Sequence, residues 1–374
     1  MPYYFPLKHN LAQEERQNAA ARLLALRDQI RQEIPRRTIQ DTLLLATWNI
    51  RDFDSNKYKH GPRLAESFFY IAEIISAFDL VALQEVNEDM RALKIIMRLL
   101  GPSWDFIATD KAEGSGGNQE RMVFVYDKTK VQFQNIAGEI LLPATGWMQQ
   151  GRQFARTPFL VSFQAGWFRF MICTVHIYYG EDRGELLARR IEEIDNIARF
   201  LARRADNESA NYILLGDFNI ISPEHQTMTA LQRHGFHLPL LLTQLPSNMD
   251  RNKHYDQIAF KAREGQVQFA GQAGVFNYYD SVFRAEDCGV YLPRIQNRAN
   301  LELTNQGQAE ETPRNLAYYH NTWRTYQMSD HLPMWVALNI DFAGQYLQEL
   351  LMPSFTVGAE HPLDFSLPEL EGHS

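Results

Sequence analysis

Apolar residues in this chain follow two patterns: short unbroken runs, and longer stretches in which they return every third or fourth position. The stretch LAQEERQNAAARLLALRDQIRQEI, residues 11–34, holds no Gly or Pro and predicts one long helix ended by Pro35. Leu23, Leu26, Ile30 and Ile34 fall on one side of it. After the polar link PRRTIQD, strands and helices alternate. TLLLATWN, DLVALQEV, RMVFVYD, TPFLVSF, FRFMICTVHI, NYILLGD, HYDQIAF and PMWVALNI predict strands. PRLAESFFYIAEIISAF, GELLARRIEEIDNIARFLARR and PEHQTMTALQRHG predict helices. Near-continuous apolar strands such as YILLG and LVALQ imply burial on both faces, with helices outside a sheet. KAEGSGGNQE and ANLELTNQGQAEETPRN read as polar loops. The expectation is one large α/β domain over 41–341, a helical extension at 1–40, and a surface tail at 342–374.

Composition adds limits. An apolar share of 45% and a charged share of 22% are ordinary for a soluble globular protein. No apolar run reaches the length of a membrane span. The start MPYYFPLKHN lacks the basic region and apolar core of a secretory signal. Cys173 and Cys288 allow one pair at most, and both thiols are expected reduced in a cytoplasmic protein. The net charge of −8 runs against the basic field of a duplex-DNA binder. A cluster of acidic metal ligands would add to that negative charge, and a bound divalent cation would reverse the local field. Arginines gather at Arg152 and Arg156, then Arg183, Arg189 and Arg190, then Arg199, Arg203 and Arg204. The last two groups are expected on the exposed face of one helix.

Chemistry-bearing residues recur at strand ends. TWNIRDF places Asn49 and Arg51 after one strand, and ALQEVNE places Gln84 and Glu85 after another. NQERMVF sets Glu120 at the start of a third, and TVHIYYG sets His176 in or just past a fourth. GDFN supplies Asp217 and Asn219, YDQI supplies Asp256, and MSDHLP supplies Asp330 and His331. Carboxylates with Asn, and no Cys cluster or H-x-x-x-H pair, favour a hard oxygen-liking cation such as Mg²⁺ or Mn²⁺ over zinc.

The ordered set WN…QE…ER…H…GDFN…YD…SDH resembles the endonuclease/exonuclease/phosphatase superfamily over roughly Leu43 to Ile340. ATWNIRDF…YIAEIISAFDLVALQEV and ERMVFVYD…FARTPFLVSF look like its deoxyribonuclease I branch. The resemblance implies a four-layer sandwich: two packed mixed β-sheets flanked by helices. It assigns Asn49 and Glu85 to a Mg²⁺ or Mn²⁺ ion, with Asp330 as a further metal or phosphate-orienting acid. It pairs Glu120 with His176 and Asp256 with His331 as carboxylate–imidazole couples. Asp217 would align or deprotonate the attacking water, and Asn219 would donate to the phosphorane oxygen. Arg51 and Arg156 match arginines that touch substrate phosphates, a role that suits the planar guanidinium fork.

Two positions depart from the deoxyribonuclease I pattern. Asn87 and Asn118 stand where that branch has an arginine and a tyrosine that enter the minor groove. Duplex reading is thereby in doubt while the hydrolytic set is complete. The implied activity is metal-dependent DNA cleavage, with a phosphatase or phosphodiesterase acting on inositol phosphates, phospholipids or nucleotides as the alternative. A catalytically silent scaffold is disfavoured because every catalytic position carries the expected residue type. The long connection from Asp280 to Asp330 ends beside the site, so Trp323, Arg324 and Tyr326 are expected either to line the cleft or to form a simple packed flap. The apolar stripe of the N-terminal helix must be covered, by the chain's own body or by a second copy or protein partner.

Overall fold

The computed structural model describes residues 2–112, 118–143, 148, 153–208, 210–262 and 267–351. Two sheets form its centre. The first runs β10–β11–β1–β2–β4–β3 and the second β5–β6–β7–β8–β9. The first contains β1 (Thr42–Phe53), β2 (Leu80–Val86), β3 (Trp104–Ala108), β4 (Arg121–Asp127), β10 (Phe269–Val275) and β11 (Met334–Asn339). The second contains β5 (Val131–Glu139), β6 (Phe159–Ala165), β7 (Phe168–His176), β8 (Tyr212–Asp217) and β9 (Asp256–Lys261). Both sheets are mixed, since β1 pairs with β2 and β7 with β8 in parallel while the remaining pairs are antiparallel.

Every residue of β8 is buried, as its unbroken apolar run requires. The sheets face each other through apolar rings. Phe124 of β4 lies 5.7 Å from Phe159 and 5.8 Å from Phe163 of β6, centroid to centroid. Gln84 on β2 crosses the same interior, donating to Thr174 on β7 at 2.8 Å. Behind the first sheet, α2 (Gln13–Glu33), α3 (Ala65–Ser76) and α4 (Arg91–Leu100) complete one core. Behind the second, α5 (Gly184–Glu208) and α6 (Gln226–Gln232) complete another. This is the four-layer α/β sandwich implied by the resemblance.

Register then delivers the chemistry. Along β7, β8 and β9, His176 stands opposite Asp217, and Asp217 opposite Asp256. In the first sheet Asn49 stands opposite Gln84, one residue before Glu85. Gly216 is required at its position, because a Cβ there would lie 2.2 Å from the Val175 carbonyl oxygen of the neighbouring strand.

The N-terminal helix is docked on the body. Leu23, Leu26 and Ile34 are buried, and Ile30 packs against the same core. Arg22 reaches Asp287 at 2.6 Å, and Gln29 donates to the Asn277 carbonyl at 2.9 Å. Residues 1–341 form one compact unit, with a short additional helix α1 at Leu7–Asn10. Beyond that unit, the described residues 342–351 carry the helix Ala343–Leu351. Deleting residues 1–38 is therefore expected to lower stability by several kcal/mol, at roughly 1.5–3 kcal/mol for each large apolar side chain uncovered. Thermal melting of the truncated chain tests this, and an unchanged midpoint would contradict it.

Two expectations need correction. Arg190 is not on the exposed face of α5: it is fully buried and donates to the backbone carbonyls of Tyr179, Glu181 and Asn219. Trp323 does not line a cleft, because it packs in the core beside Phe283, Tyr291 and Tyr319. Arg152 and residues 113–117 of the KAEGSGGNQE loop lie outside the described residues.

Candidate active site

Polar side chains converge on one carboxylate oxygen. Asp217 Oδ2 accepts from Asn49 Nδ2 at 3.0 Å and faces His176 Nε2 at 3.5 Å and His331 Nε2 at 3.8 Å. The other oxygen, Oδ1, accepts the backbone N–H of Asn219 at 2.9 Å. The intervening Phe218 is buried in the core behind the second sheet. A left-handed Asn219, φ 53°, turns the chain immediately after the strand. Its side-chain amide donates to the Ile177 carbonyl at 2.9 Å.

Each imidazole is backed by its own acid. His331 Nδ1 meets Asp256 Oδ2 at 2.8 Å, and Ser247 Oγ donates to the same oxygen at 2.7 Å. Burial would lower the His331 pKa, but Asp256 and then Asp217 outweigh it and raise the imidazole well above its ordinary value. His176 Nδ1 lies 3.1 Å from Glu120 Oε2, and Arg156 Nε donates to that same carboxylate oxygen at 2.7 Å. Burial pushes the Glu120 carboxyl up, but His176 and Arg156 together hold it at about 2.

A second acidic patch adjoins this centre. Glu85 accepts from Asn49 Nδ2 at 3.0 Å and from the Asp52 backbone N–H at 2.9 Å. Burial and then the Glu120 carboxylate raise the Glu85 carboxyl above the usual range. Asn49 Oδ1 is buried without a hydrogen-bond partner among the described residues. An unsatisfied amide oxygen beside a half-buried carboxylate is the donor set a hard divalent cation takes. Asp330 is set apart from Asn49 and Glu85 in its contacts. Its side chain is 39% exposed and pairs with Arg51 at 3.3 Å. Asp217, Asp256 and His331 also bring ligand-type atoms within 4.8 Å of one another.

Several further residues position this set, Trp48 and Ser329 from within the WN and SDH motifs and Tyr278 and Arg63 with no sequence signal. Ser329 Oγ donates to the Asn49 carbonyl at 2.6 Å and accepts the N–H groups of Arg51 and His331 at 3.1 and 3.0 Å. Trp48 Nε1 and the Tyr278 hydroxyl both donate to the His331 carbonyl, at 3.0 and 2.9 Å. Buried Arg63 ties the carbonyls of Asp52 and Met328 together at 2.8 and 3.0 Å. Arg156 is 8% exposed and borders a recess of about 230 Å³ shared with Glu85, Lys111, Glu120, Arg121 and His176.

No helix among the described residues is long and apolar enough to cross a membrane. No curated protein matches the chain. In fold it is similar to a functionally unknown conserved protein from Enterococcus faecalis, at 17% identity over 79% of this chain and 99% of that one, TM-score 0.51. It is also similar to a mannosyl-6-phosphatase from Bacteroides thetaiotaomicron, at 17% identity over 79% and 99% of the two chains, TM-score 0.48. A D. rerio TDP2 complexed with a single-strand DNA product matches at 13% identity over 80% and 99%, TM-score 0.45. The model of the Endonuclease/Exonuclease/phosphatase family matches residues 46–330, which hold every site residue named above except His331, and the chain belongs to that family.

Proposed function

We propose that the chain is a divalent-metal-dependent phosphodiester hydrolase that cuts DNA by attack of water. The observation that carries this reading is the meeting of two acid-backed imidazoles at one oxygen of Asp217, 3.5 and 3.8 Å away. Those separations are longer than ordinary hydrogen bonds, so a reacting oxygen beside Asp217 Oδ2 would lie within reach of both imidazoles. Asp217 orients or deprotonates the water. His331, kept protonated by Asp256 and Asp217, donates to the developing negative charge on phosphorus-bound oxygen. His176 holds the opposite side, its Nδ1 3.1 Å from the Glu120 carboxylate. Asn219 contributes an amide N–H to the phosphorane oxygen.

Asn49 and Glu85, with Asp330, are the residues that would hold Mg²⁺ or Mn²⁺; such an ion neutralises phosphate oxygen charge. The Asp217–Asp256–His331 trio suits acid–base work better than a metal. His331 Nδ1 is committed to Asp256, and both carboxylates of the trio already accept hydrogen bonds, from Asn49, Asn219 and Ser247.

Arg51 and Arg156 are the proposed phosphate contacts. Arg156→Ala is expected to raise KM for DNA and to flatten its salt dependence by about one phosphate contact. An unchanged salt slope would leave Arg156 as a partner of Glu120 alone. A second reading, hydrolysis of phosphorylated small molecules or lipids, is favoured by Asn87 and Asn118 at the positions that read a duplex groove. Supercoiled plasmid, single-stranded DNA, RNA and phosphoinositides, each incubated with the full chain and Mg²⁺, separate the two. The proposal expects cleaved DNA. Phosphate release from phosphoinositides with intact nucleic acid would replace it by the second reading.

A further inference from the structure

Beside the acidic patch, the loop after β1 carries an aromatic ring that the fold does not consume. Tyr58 is 49% exposed, although the loop beneath it is pinned. Asn297 donates to the Lys59 carbonyl at 2.9 Å, and His60 Nδ1 meets the Tyr318 hydroxyl at 3.0 Å. The Tyr58 ring lies 5.8 Å from Tyr326, and His60 stands 4.7 Å from Tyr326 on the same cluster. Cations border both tyrosines: Lys57 Nζ is 5.1 Å from the Tyr58 ring, and Arg51 Cζ is 4.2 Å from Tyr326. Arg51 in turn pairs with Asp330, so the cluster reaches the hydrolytic centre through a single guanidinium.

An exposed ring on a prearranged loop loses little conformational freedom when a flat ligand settles on it. Flanking cations match the phosphates on either side of a base. Within a duplex both faces of a base are covered by its neighbours, so a side-chain ring meets only a base that is unpaired or turned out. We infer that Tyr58, backed by Tyr326 and His60, is a stacking platform for an unpaired nucleobase next to the scissile phosphate. This rests on the nuclease reading above and narrows its substrate to single-stranded, frayed or gapped DNA.

The test uses the full chain with Mg²⁺ on a single-stranded oligonucleotide, and on a series of copies in which one abasic residue is walked past the cleavage position. Tyr58→Ala is expected to raise KM roughly 5- to 100-fold on the intact strand, the usual range for loss of one stacked base. Tyr58→Phe restores it, because the ring does the stacking. One abasic position raises KM for the native chain by a similar factor and adds nothing to the loss in Tyr58→Ala. DNA cleavage in which Tyr58→Ala matches the native KM overturns the platform and leaves the nuclease reading standing. A native chain that cleaves no nucleic acid overturns both.

Discussion

His331→Ala is expected to lower kcat by roughly 10²–10⁴, the usual contribution of a positioned acid–base group. Its Nε2 faces Asp217 and its Nδ1 is held by Asp256 at 2.8 Å, so the variant removes the donor and strands a buried carboxylate. Asp256 keeps Ser247 as a partner, so some loss of melting temperature is expected beside the larger loss of turnover. His176→Ala is expected to fall in the same range. The double variant should lose less than the product of the two single losses, because groups that serve one transition state are not additive. Turnover of His331→Ala within a few-fold of native would show that the acid–base assignment is wrong.

Removing divalent ions should abolish activity altogether. Desolvation and the nearby Glu120 carboxylate raise the carboxyl of half-buried Glu85, and Asn49 Oδ1 is unpartnered among the described residues; both conditions are relieved by an oxygen-preferring cation. Binding also has a readout independent of turnover. A ligand at 100 times its dissociation constant stabilises the folded state by about 2.7 kcal/mol. Mg²⁺ should therefore raise the melting temperature of the native chain and not that of Glu85→Gln. Full activity after exhaustive dialysis against EDTA, or an equal Mg²⁺ shift in Glu85→Gln, would contradict the assignment.

The parts of this fold that could be read from sequence were those buried on both sides. β1, β2, β7 and β8 are central strands with almost wholly buried residues, so their apolar runs are unbroken. β3, β5 and β10 carry no such run because they lie at sheet edges and leave many residues partly or wholly exposed. Helix α4 also escaped notice. It begins at a left-handed Met90 that offers no side-chain cap, so its start carries no signal. The site residues were legible because strand ends bring them into register: His176, Asp217 and Asp256 are cross-strand neighbours. Their supports were not legible. Ser247 and Arg63 act through hydrogen bonds to residues elsewhere in the chain, such as Asp256 and Met328, and no periodicity marks such contacts. Arg190 shows the opposite failure. A charge on a helix reads as solvated, yet this one satisfies three backbone carbonyls of the loops around Asn219 and is buried for that reason.

We propose hydrolysis of DNA phosphodiesters at Asp217. Its most direct test is the rate at which the purified full-length chain nicks supercoiled plasmid in Mg²⁺, measured beside Asp217→Asn prepared identically. The substitution keeps the size of the side chain and removes its charge, and native nicking is expected to exceed that of the variant by at least about 100-fold. Equal nicking by both proteins, or none by the native chain, would contradict it.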